Sequence, residues 1–158
     1  MSATDFDNMR ERYISLFGEE PAHDSALEAI QSALDVTLPD DVKKIAEFYC
    51  GGILGGISHN SLEATGPATN VVDETQRLRR TINLPHRFIV LAEPSESLIV
   101  LDCESNATGG PAVIWCDAND VGRVDHVPSM SNLPGTWPSY SAFFSYLLDE
   151  EEEERGEA

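Results

Sequence analysis

Residues 87–117 read RFIVLAEPSESLIVLDCESNATGGPAVIWCD and hold the densest apolar runs in the chain. Three short runs, 88–92, 98–101 and 112–116, are separated by Glu-Pro-Ser-Glu-Ser and by Glu-Ser-Asn-Ala-Thr-Gly-Gly-Pro, both rich in turn formers. The pattern predicts consecutive strands of a meander, with no helix between Phe88 and Trp115. The runs are nearly continuous rather than alternating, so both faces of each strand should meet protein, with Trp115 largely buried. A turn at 118–120 with Gly122, followed by the run 121–127, adds a fourth expected strand and places the sheet at 87–127.

Working outward, the flanking segments carry helical periodicity. Phe6, Met9, Tyr13, Leu16 and Phe17 fall three or four apart and make one face of a helix over 5–17 that Gly18 stops. Ser25-Ala-Leu-Glu28 fits a capping box, and Leu27, Ile30, Ala33 and Leu34 follow on one face. Leu38-Pro39-Asp40-Asp41 opens a third helix: proline suits its start, and the two carboxylates complement the positive end of its dipole. Gly51-Gly52 ends it, 53–57 reads as a bent strand, and a helix from Thr69 or Asn70 to Ile82 carries Arg77, Arg79 and Arg80 towards its end. Beyond the sheet, 128–138 reads as an irregular loop. Ser139 then caps a last helix with the stripe Tyr140, Phe143, Phe144, Leu147 and Leu148. Six consecutive acids after Leu148 repel one another, so 149–158 is expected to be a disordered tail, and deleting 151–158 is expected to leave the melting temperature nearly unchanged. The fold class is α+β: one domain over 1–148, a mainly antiparallel sheet packed with helices near 39–50 and 139–149.

At 158 residues the chain is the size of one domain, and no apolar run approaches the ~20 residues that span a bilayer. The first residues lack the basic and apolar parts of a signal peptide, so the expected compartment is the cytoplasm. Cys50, Cys103 and Cys116 include no C-x-x-C pair, which argues for reduced thiols rather than a disulfide framework or zinc site. The net charge is -18, of which the last ten residues supply -6, so the body is acidic without them. Such a surface repels nucleic acid and anionic lipid and speeds encounter with a basic partner.

Signatures of chemistry are absent from the sequence. There is no G-x-S-x-G and no H-E-x-x-H, and His23, His59, His86 and His126 stand singly in different segments. Asp117, Asn119 and Asp120 resemble part of a calcium loop, but position 128, where the closing acid belongs, is proline. The glycines at 51–56 match no phosphate-binding pattern and have no Lys or Arg nearby. No catalytic residue, cofactor or metal is therefore expected.

Three features occur in order: the Leu-Pro-Asp-Asp helix ending in Gly51-Gly52, the meander with Leu98-Ile-Val-Leu-Asp102 and Val113-Ile-Trp-Cys-Asp117, and a terminal helix reading Ser-Ala-Phe-Phe-Ser-Tyr-Leu-Leu. Together, over about 26–148, they resemble the SUKH superfamily, which includes the Smi/Knr-type regulator of yeast cell-wall glucan synthesis and many bacterial immunity proteins. The family usually has Asn before the double glycine and a glycine-rich first turn; here stand Cys50 and Glu-Pro-Ser-Glu-Ser. The resemblance implies a non-enzymatic domain that grips a protein partner. The expected partner is a basic toxin domain, such as a nuclease, neutralised by blocking; the alternative is a scaffold or regulator binding a cellular protein.

A meander sends alternate turns to the same end of its sheet. Glu93 and Glu96 lie in the first turn and Asp117 and Asp120 at the close of the third strand, so these four are the expected anionic rim. Asp102 and Glu104, at the opposite end, are the lesser candidates.

Overall fold

The computed structural model describes residues 3–66, 69–117 and 135–156. In chain order these form α1 (Ala3–Phe17), α2 (Asp24–Leu34), α3 (Asp40–Ile45), β1 (Gly52–Leu54), β2 (Ile57–His59), α4 (Val71–Thr81), β3 (Phe88–Ala92), β4 (Ser97–Asp102), α5 (Ser105–Thr108), β5 (Val113–Asp117), β6 (Gly135–Trp137) and α6 (Tyr140–Glu154). The six strands make one sheet in sequence order, every neighbouring pair antiparallel, so the α+β meander is as the sequence predicts. No helix among the described residues is long and apolar enough to cross a membrane.

Continuous apolarity in β3, β4 and β5 has the consequence expected of it, burial on both faces. Ile89, Leu91, Ile99, Leu101 and Val113 point to one side, where Tyr13 of α1, Val42 and Ile45 of α3 and Phe143, Phe144 and Leu147 of α6 complete the main core. Phe88, Val90, Leu98, Val100, Ile114 and Cys116 point to the other, against Leu78 of α4 and Leu84. A bulge between Val90 and Ala92 interrupts the β3–β4 register, and the buried Thr75 hydroxyl of α4 accepts the Val90 N–H at 2.9 Å. Within the main core, Tyr13, Phe48, Tyr49 and Phe144 pack with ring centroids from 5.0 to 6.0 Å apart, at tilted or edge-on angles.

The Leu-Pro-Asp-Asp stretch ties two helices together. Pro39 is the residue before the first turn of α3, and Asp41 Oδ2 accepts the N–H of Ser141 in α6 at 2.9 Å. Ser139 Oγ accepts the next N–H, that of Ala142, at 3.1 Å. Two of the donors left open at the start of α6 are thereby satisfied, one from its own cap and one from α3.

Several expectations need correction. Trp115 is only partly buried: in the middle of β5 it packs against the main core, and its Nε1 donates to Ser97 Oγ at 2.9 Å. A four-residue helix, α5, does lie between Phe88 and Trp115, in the β4–β5 connection and closed by Gly109 in the left-handed region, leaving the ladder intact. The stretch read as an irregular loop ends in β6, which pairs Thr136 with Ile114. The Ser25 capping box is not used, since α2 starts at Asp24 behind His23 with no side-chain cap. The expected fourth strand at 121–127 lies outside the described residues. The acids after Leu148 continue α6 to Glu154.

Gly51 and Gly52 both sit at positive φ, 107° and 105°. They differ in surroundings: a Cβ on Gly51 would stand 2.7 Å from the Asn60 carbonyl oxygen, whereas one on Gly52 meets nothing within 4 Å. Gly52→Ala should therefore cost backbone strain alone, about 1–2 kcal/mol, while Gly51→Ala must also push apart the chain leaving β2 and should lose roughly 3 kcal/mol or more. Denaturant titration checks this, and equal losses would contradict the close approach.

Candidate functional site

The β3–β4 turn is built by Pro94, whose carbonyl accepts the Ser97 N–H at 2.9 Å, and by Glu96, held in the left-handed region at φ 60°. This backbone carries the Glu96 side chain out into solvent, exposed. The β4–β5 register sets Ser97 opposite Asp117, so the turn and the end of β5 are neighbours, as the meander argument requires. Glu93 belongs to the same end but is partly neutralised: Arg77 of α4 bridges it to Glu74, at 2.5 Å and 3.0 Å respectively. Asp120 lies outside the described residues.

The two lesser candidates separate. Asp102 is 3% exposed; its Oδ2 accepts from Arg87 Nε at 3.1 Å and its Oδ1 from the Glu104 N–H at 2.9 Å. It is a buried structural carboxylate at the end of the sheet away from Glu96, with nothing to offer a rim. Glu104 is exposed there, beside an open hollow of about 270 Å³ lined with Asp35, Val36, Thr37 and Cys103. Burial, then the charges of Asp102 and Glu104, pushes the Cys103 thiol up to about 12, so it is no nucleophile near neutral pH.

The residues that sequence reasoning missed come from α6 and the β1–β2 hairpin. Gly55 and Gly56, at φ 65° and 77°, form the two-residue hairpin turn that needs positive φ at both positions. The Gly55 N–H donates to Glu151 Oε1 at 3.0 Å, and a Cβ on Gly56 would stand 3.8 Å from the Glu154 carboxylate. Glu151 is 8% exposed and also accepts from Arg155 Nε at 2.7 Å, while the Arg155 guanidinium lies 5.0 Å over the Phe17 ring. Arg12 of α1 bridges Asp149 and Glu152. Arg155 and the Gly55 N–H outweigh burial and hold the Glu151 carboxyl below its ordinary range; Arg12 does the same for Glu152. The register His59 to Ala92 puts the hairpin tip on the Glu93 side of the sheet rather than the Phe88 side. The last turns of α6 therefore reach the end that carries Glu93, Glu96 and Asp117.

His59 of β2 is a core side chain. It is 6% exposed, with its Nε2 3.2 Å from the Leu54 carbonyl and its ring 6.1 Å from that of Phe143. Burial lowers its pKa to about 4. The void beside it, lined with Tyr49, Tyr140 and Asn60 among others, is about 10 Å³, barely room for one water. No group of three or more His, Cys, Asp or Glu among the described residues could hold a metal ion.

A family model described as SUKH_5, SMI1-KNR4 cell-wall, matches residues 6–132, from α1 past β5. No curated protein matches the chain. The acidic end of α6 lies beyond the matched span.

Two predictions follow from the docked acids and the buried histidine. Deleting 151–158 removes the Gly55 and Arg155 contacts and the Arg12–Glu152 pair, so the melting temperature should fall by roughly 5 °C or more, where a free tail would leave it unchanged. Because His59 is held below its ordinary 6.5, protonation favours unfolding. Stability should be full above pH 6.5 and decline towards pH 4 by roughly 3 kcal/mol, ahead of the loss from Glu151 and Glu152 below their ordinary 4.5. His59→Gln should flatten the upper part of that decline, and an unchanged profile would place the titration elsewhere.

Proposed function

The chain belongs to the SUKH family of SMI1-KNR4 cell-wall domains, and from that premise we propose that it is a non-enzymatic binding protein which neutralises a basic toxin domain by covering it. Domains of this family generally act through protein interactions. The observation that carries the finer reading is the end of the sheet where Glu96 is thrust out at positive φ between Glu93 and Asp117, with the acidic end of α6 alongside. Charge gathered at one end of a -18 chain suits capture of a cationic surface, since steering by a field acts on the encounter rate. A domain that cuts nucleic acid must attract a polyanion, so its active face is such a surface. Blocking requires no catalytic group in the inhibitor.

The family's association with the cell wall favours one second reading, a regulator that binds a protein of wall synthesis. Partner capture followed by kinetics separates the two. For a toxin, Glu96→Lys combined with Asp120→Lys should lower the association rate about tenfold at low salt and far less at high salt, with dissociation little changed. A double variant that associates as fast as the wild type at both ionic strengths would reject the rim.

A further inference from the structure

The sheet has an open side that the rim does not explain. β1 is the last strand at its edge, and Ile53 in its middle is 70% exposed; the only other exposed large apolar residue among those described is Ile82, at 37%. In a hairpin closed by a two-residue turn the closing pair, Leu54 and Ile57, exchanges hydrogen bonds and the next pair, Ile53 and Ser58, does not. The N–H and C=O of Ile53 therefore point away from β2, and among the described residues no hydrogen bond outside the ladder reaches them. Exposed edges are usually blunted by charge or proline, and Gly52-Ile53-Leu54 has neither.

We propose that this edge receives an extended segment of a partner protein in which basic side chains alternate with apolar ones, adding a strand beside β1. The inference rests on the basic partner proposed above and names where a strand of it sits. Ile53 supplies the apolar contact, and its backbone supplies one bridge. Three residues cannot hold a strand by backbone bonding alone, so the remaining attraction comes from the exposed Glu154 carboxylate at the hairpin tip. The Gly55 N–H is already taken by Glu151, which ends the available edge at Leu54, and Glu154 lies beside Gly56. A second copy of this chain carries the same net charge of -18, so like-charge repulsion between copies selects a cationic strand instead.

The test uses the full chain, labelled with nitrogen-15, and three ten-residue peptides: alternating Val and Lys, the same composition in two blocks, and alternating Val and Glu. The alternating Val and Lys peptide should shift the amides of residues 52–54 and slow exchange of the Ile53 N–H, and the other two should not. Ile53→Pro, which removes the donor, should weaken binding about tenfold, and Ile53→Ser, which keeps it, severalfold. Melting curves test whether both variants fold; if Ile53→Pro does not, Ile53→Lys, which keeps the N–H and places a positive charge on the edge, should abolish binding in its place. Binding that weakens with Glu96→Lys yet ignores every Ile53 variant overturns the edge and leaves the rim standing. Binding lost on Ile53→Pro yet indifferent to Glu96→Lys keeps the edge and removes the rim. Shifts confined to other segments, or a concentration-dependent dimer abolished by Ile53→Pro, would overturn the proposal.

Discussion

Everything in this molecule answers to one constraint: β3, β4 and β5 are apolar on both faces, so the sheet must be covered twice. Alternate residues of β4 illustrate the demand, Ile99 and Leu101 entering the main core and Leu98 and Val100 the second. Burying such side chains stabilises by roughly 1.5–3 kcal/mol each, which outweighs any local preference of the surrounding segments. Helices α1, α3 and α6 are recruited to one face, with the Asp41 carboxylate joining α3 to the start of α6. On the other face Leu78 of α4 and Leu84 pack against the sheet. Once both faces are occupied, a partner can approach only the ends of the strands, the outer edges and the backs of the helices.

The acidic run shows how tertiary contacts overrule a local rule. Like charges three and four apart on a helix cost a few tenths of a kcal/mol per pair, which alone would favour fraying after Leu148. Against this stand Arg12 across Asp149 and Glu152, Arg155 on Glu151, and a backbone donor offered by Gly55. The exposed pairs among these are screened and individually weak, but the bonds to the buried Glu151 carboxylate are not. The same contacts give the sheet end its charge, because they carry the last turns of α6 to the hairpin tip.

Much of this was legible in the sequence. The three apolar runs mark β3, β4 and β5, the turn acids Glu93 and Glu96 do fall on the same end as Asp117, and Gly51 and Gly52 do take positive φ, although α3 ends at Ile45, before they are reached. The misses at α6 and β6 have a common physical origin in partners remote along the chain. Nothing near 149–154 announces Arg12 or Gly55, and nothing in Gly135-Thr136-Trp137 announces Ile114. Asp102 looked like any strand-end acid until Arg87, across the β3–β4 pair, and the Glu104 N–H took both of its oxygens. Ile53 reads in sequence as one more apolar residue between glycines; only the strand order leaves it on an edge.

In the binding mode proposed, partners meet this domain at one end of its sheet, where the β1–β2 hairpin, the β3–β4 turn and the end of α6 converge. Amide hydrogen exchange of the full chain, free and bound to a captured partner, tests it most directly. Slowed exchange is expected at 52–59, 93–97 and 147–154, with α2 and α3 unchanged. Protection centred on α2 and α3, leaving those three segments as in the free protein, would contradict it.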